Sequence, residues 1–165
     1  MDFFPPAVSL DADDALLQAL CTTSELDEDG EVVAVGDRIR RLAVPHRGGY
    51  FGGDLDETPW MLDRYGDAVG TADTVWIEGV VISVAAIRTR LTQLADGTFT
   101  ARPGSAVLEP LRSTADTRRP TPEIDWQPHS EPDADGTAYA MGFARQNEGD
   151  EELSGWLFTV RTDPG

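Results

Sequence analysis

The chain has 165 residues, with 30 Asp and Glu against 13 Arg, no lysine, and a net charge of −17. Forty per cent hydrophobic residues in a chain of this length can bury a real core, which excludes wholesale disorder. Without lysine there is no Walker A loop, no kinase strand lysine and no pyridoxal Schiff base, and the single cysteine, Cys21, excludes intrachain disulfides and cysteine-rich zinc or iron–sulfur sites.

Residues 1–31 hold nine acids and no base. The MDFFPP start lacks the basic end and apolar run of a signal peptide, and no stretch approaches the ~20 apolar residues of a membrane span. A cytoplasmic protein is therefore expected. Ser9 as N-cap, Asp11, Asp13 and Asp14 in a first turn, and Leu10, Leu17 and Cys21 at helical spacing predict a helix over 9–21. Cys21 on that apolar stripe reads as a buried, inert thiol. The acidic run from Glu25 to Glu31 marks a turn at Asp29-Gly30. It sets residues 1–30 apart from a mostly-β domain over 31–161.

Glu31–Val35 and Arg38–Val44 read as strands punctuated by Gly36-Asp37 and ended by Pro45. Thr58 as cap and Pro59 at the first helical position predict a short helix over 58–65. Thr74–Leu94 is the strongest β signal, with Val75, Ile77, Val80, Ile82, Val84 and Ile87. At this length it should bend or break, with Gly79 as the site of a bulge or close approach. Asp96-Gly97 is a hairpin turn into a strand at 98–102, and Ala106–Leu111 is a further strand. Residues 112–137, rich in proline and acid, read as irregular, with Ile124 and Trp126 pinning them to the body. Two alternating runs, Tyr139/Met141/Phe143 and Trp156/Phe158/Val160, predict a long C-terminal hairpin closed by an acidic loop over 146–154.

The sum is a mostly β fold: a small curled sheet or SH3-like barrel with an N-terminal helix and a long C-terminal hairpin. In such barrels a Val-Gly-Asp turn, here Val35-Gly36-Asp37, opens a strand beside a later Gly-x-Val strand, here Gly79-Val80-Val81. The succession VGDRIRRL (35–42), WIEGVVISVAAIRTR (76–90), RPGSAVLEPLRS (102–113) and GWLFTVR (155–161) resembles a family of short actinobacterial proteins of unknown function. The resemblance covers roughly residues 35–161; it implies a shared fold and carries no activity with it.

No catalytic signature stands out. His46 and His129 lie far apart in sequence and lack metal-ligand spacing, and no serine sits in a Gly-x-Ser-x-Gly elbow. Calcium-loop counts fail: from Asp133 position 12 is Ala144, and from Glu25 it is Gly36, where a bidentate glutamate is required. Asp54, Asp56 and Glu57 cluster beside a glycine-rich loop and are the candidate divalent-metal ligands, the basis of an alternative reading as a carboxylate-dependent enzyme. No cofactor is otherwise implied.

The most suggestive segment is PHRGGYFGGD, residues 45–54. Gly48-Gly49 and Gly52-Gly53 bracket Tyr50 and Phe51, and Arg47 adds a cation, together the makings of an exposed aromatic anchor for a partner. Arg38 and Arg40 alternate on one strand and Arg88 and Arg90 on another. In the right register these four guanidinium groups share a face able to hold an anion or nucleic acid. The charge map opposes a polyanion: residues 32–112 are near neutral at −1, but residues 113–165 carry −7. The leading expectation is thus a non-enzymatic acidic interaction protein, inhibitor- or immunity-like, that engages a basic protein partner; nucleic acid is disfavoured, and oligomeric state is left open.

Overall fold

The computed structural model describes residues 15–46, 51, 53–64, 73–128, 134–137 and 140–162. The fold is mostly β: a curled seven-stranded sheet and a separate two-stranded ribbon. Strands β1 (Leu16–Thr22), β2 (Arg38–Pro45), β3 (Trp60–Leu62), β4 (Val75–Gln93), β5 (Phe99–Ala101), β6 (Val107–Leu111) and β9 (Glu151–Thr162) form the sheet. The strands β7 (Ile124–Pro128) and β8 (Ala140–Ala144) pair only with each other. A five-residue helix, α1 (Thr23–Asp27), follows β1 directly.

β4 is the spine. At 19 residues it stays one strand, and register shifts at Val81/Ser83 and Ile87/Arg88 supply the bends expected of its length. One edge carries β2 along Val75–Val80 and β6 along Val84–Arg88; the other carries β9. β9 pairs in turn with β1, β1 with β3, and β3 with the far end of β2. The sheet therefore curls back on itself. Its seam through β3 is only two or three residue pairs long, so it is a curled sheet and not a barrel laced along its length.

Alternation along the strands fills the inner face. Leu17, Ala19 and Cys21 from β1 meet Val160, Phe158 and Trp156 from β9, with Ile77, Val81, Val84 and Ala86 of β4 behind them. Burial pushes the Cys21 thiol far up from its ordinary range, so it is the inert core residue expected. The Val35-Gly36-Asp37 turn forms as read: Gly36 has φ of 95°, the Asp37 carboxylate accepts from the Ala34 N–H at 2.9 Å, and Val81 pairs with the turn on both sides.

Four expectations are corrected. Residues 16–21 are a strand, not the end of a helix over 9–21 (9–14 lie outside the described residues), and β1 sits inside the sheet rather than in a separate N-terminal segment. The reason is burial on both faces: Leu20 is as buried as Leu17, so the run of apolar residues loses its period of two and mimics a helical stripe. Residues 60–62 are β3, paired on both edges, where a helix was expected. The segment 112–137 is not wholly irregular, since it contains β7. The long C-terminal hairpin does not form: β8 pairs with β7, and β9 crosses between β1 and β4.

Two glycines permit that crossing. A Cβ at Gly79 would lie 2.1 Å from the Arg161 carbonyl oxygen, and one at Gly155 would lie 2.2 Å from that of Cys21. Neither contact can be relieved by a side-chain movement. Gly79→Ala is accordingly expected to cost about 3 kcal/mol, read as a fall in the urea midpoint, whereas Gly149→Ala, with open space around it, should cost less, its penalty confined to the backbone conformation.

Candidate functional site

The connection from β2 to β3 does not stand out in solvent. Phe51 is 1% exposed. It packs with Leu55 onto Leu20, Ile87 and Leu157, which leave an apolar hollow on the outer face of the sheet, and its carbonyl accepts from Gly104 N–H at 3.3 Å. The exposed-anchor expectation is therefore corrected at Phe51: the ring is the plug of a second core. Arg47 and Tyr50 lie outside the described residues, as does His129. His46 bonds through Nδ1 to the Thr58 carbonyl at 2.8 Å, holding the two ends of the connection together.

Asp54, Asp56 and Glu57 lie on a 3₁₀ turn over Gly53–Glu57 that carries Leu55 into this second core. Among the described residues no group of three His, Cys, Asp or Glu side chains converges to hold a metal ion, so these three are neighbours on a turn and not a built ligand set.

The four arginines expected on one face are also separated. Arg38 stands opposite Val80 and Arg40 opposite Glu78, eight or more residues along β4 from Arg88, roughly 25 Å at ~3.3 Å per residue. Arg40 lies over the exposed Trp76 ring at 3.9 Å and faces Glu78 at 3.8 Å. With Arg41, Arg64, Glu25 and Glu31 it borders a groove of about 490 Å³. That groove is internally compensated: Arg41 pairs with Glu31, and Arg64 pairs with Asp29, Glu31 and Glu25. Burial raises the Glu25 carboxyl despite the Arg64 N–H that bonds it at 2.8 Å.

Arg88 is 5% exposed and belongs to the interior. It donates to the Arg118 carbonyl at 2.7 Å and pairs with Glu109 at 3.4 Å and Glu151 at 3.5 Å. Glu151 also receives Arg118 at 2.9 Å and Arg90 at 3.9 Å. The hydrogen bond from Arg118, with the neighbouring guanidinium charges, holds its carboxyl below the usual range. These ties, with Trp156 Nε1 bonded to Thr117 at 2.9 Å and Arg119 forked onto Asp27, fasten residues 114–119 over the end of the sheet.

What the structure leaves open is the β7–β8 ribbon. Ile124, Trp126, Met141 and Phe143 are all exposed, Trp126 by 70%. Ile124 and Trp126 close over Gly142, where a Cβ would come within 2.9 Å of both side chains. Arg145 buttons the base: its N–H donates to the Glu123 carbonyl at 2.7 Å and its guanidinium reaches Glu123 at 3.0 Å and Asp125. A cleft of about 700 Å³ separates this base from the sheet, bordered by Leu91, Glu123, Asp150, Glu151 and Glu152. Burial raises the Glu152 carboxyl above its ordinary value. Of this ribbon only the β8 residues Met141 and Phe143 were read as a strand, β7 falling in the segment read as irregular; Trp126, expected to pin that segment to the body, is exposed.

No family model, no curated protein and no solved structure matches the chain. The site is therefore read from its own chemistry.

Phe51→Ala is expected to lower stability by roughly 3–5 kcal/mol in urea unfolding, the signature of a core plug; a change near zero would return the ring to solvent. Glu152, raised in the folded chain, is more costly charged than protonated, so its contribution to stability is lost as pH rises through that raised value. Glu152→Gln should thus raise the urea midpoint at pH 7 and lose that advantage near pH 4. Glu151, held low, behaves oppositely: its contribution is present above the ordinary carboxylate range and lost as pH falls through its lowered value, so Glu151→Gln should destabilise at pH 7.

Proposed function

We propose that this chain is a non-enzymatic, acidic interaction protein of the bacterial cytoplasm, inhibitor- or immunity-like, whose partner is a basic protein. One observation carries the reading: most of its cations are occupied. Nine of the 13 arginines, at positions 40, 41, 64, 88, 90, 102, 118, 119 and 145, are paired with carboxylates of the same chain. The net charge of −17 is a surplus of acid that 13 arginines do not neutralise. Long-range attraction to a basic surface, with repulsion of nucleic acid and anionic lipid, follows from that imbalance. Among the described residues no helix is long and apolar enough to cross a membrane.

The anchor for such a partner is moved from the Tyr50–Phe51 loop to the exposed apolar residues of the ribbon, since Phe51 is buried. Aromatic side chains beside an acidic rim combine contact area with orientation by charge. The tagged chain, used as bait in extract of its native cells, is expected to retain one basic protein at near-equal amounts in low salt and to release it in high salt. Retention of short oligonucleotides instead, or of nothing basic, would overturn the reading.

A further inference from the structure

The ribbon is apolar on both faces at once. Its register places Ile124 and Trp126 on one face, with Ala140, Gly142 and Ala144 opposite, while Met141 and Phe143 occupy the other, across from Gln127 and Asp125. A sheet that rests on a flat surface needs one apolar face and turns polar residues to water on the other. Here each face carries two large apolar side chains, with Asp125 and Gln127 beside Met141 and Phe143 on one of them. A flat partner would therefore cover one pair and leave the other wet. Two strands alone are also marginal without a third element packed on them, and the contacts of β7 and β8 are chiefly with each other.

Resting on the interaction reading above, we propose that the β7–β8 ribbon inserts into a basic-walled cleft of a protein partner that closes on both of its faces. Charge selects this occupant. A second copy would bring together two segments of net −7, residues 113–165 of each chain, and nucleic acid grooves repel the same surface. At the base of the ribbon Asp150 and Glu152 border the cleft that separates it from the sheet, within a segment whose net charge of −7 favours a cationic rim on the partner. The rim orients the approach, and Trp126 and Phe143 supply the buried contact.

The test uses the full chain in its native cells, with photoreactive benzoylphenylalanine placed at Ala140 in one variant and at Gln127 in another. These positions lie on opposite faces and leave all four apolar anchors intact. Insertion predicts that both variants cross-link the same basic polypeptide. Trp126→Ser combined with Phe143→Ser should then lower recovery of that polypeptide by at least ~tenfold while the urea midpoint of the free chain is unchanged. Cross-linking from one face only, or to a second copy, overturns insertion. So does recovery of a basic protein in low salt with neither face cross-linked, an outcome that leaves the broader reading standing. Absence of any basic protein from both the cross-links and the low-salt capture overturns both.

Discussion

The curl of this sheet rests on two places where backbone meets backbone with no room for a side chain. Gly79 on β4 lies against the Arg161 carbonyl of β9, and Gly155 on β9, at φ of 153°, lies against the Cys21 carbonyl of β1. Both contacts flank β9, which thereby threads between the N-terminal strand and the longest one. With β9 held there, Trp156 and Phe158 point inward as the centre of the main core, and Leu157 points outward to start the second. The hollow around Leu157 is what Phe51 fills. The position of a loop aromatic is thus a consequence of a strand crossing more than 100 residues later in the chain.

That dependence explains what could and could not be read in advance. β2, β4, β5 and β6 were legible because their signals are local: Pro45, the Asp96-Gly97 turn and the β-branched run read over Thr74–Leu94 need no distant partner to be recognised. The Gly36 turn was legible for the same reason. β1 was not, because a strand buried on both faces offers the same apolar run as a helix. The pairing of β8 with β7 instead of β9 was equally hidden, since both candidate partners alternate with the same period. For the site, the glycine pairs around Tyr50 and Phe51 correctly marked an unusual backbone, but glycine permits a chain to fold back as readily as to stand out. The alternation of the arginines was legible and the register on which their shared face depended was not, and register decides whether four guanidinium groups share a face.

The arginines themselves play a structural part. Arg88 is interior, Arg118 and Arg119 secure a segment across the end of the sheet, and Arg145 closes the ribbon. A planar fork reaching two or three carboxylates suits a fold with many acids and little regular structure between residues 112 and 123. The cost is that little cationic surface is left outside these ties, and the acid surplus dominates what an approaching molecule meets.

The ribbon has a different relation to the fold from every other strand. Its large side chains lie outside both cores, and Arg145 ties its base through groups that are themselves exposed. Substitutions at 124, 126, 141 or 143 therefore leave the folding free energy of the body nearly untouched. A surface element placed outside the cooperative unit can change its sequence freely, because new side chains there are not filtered through the demands of a packed interior.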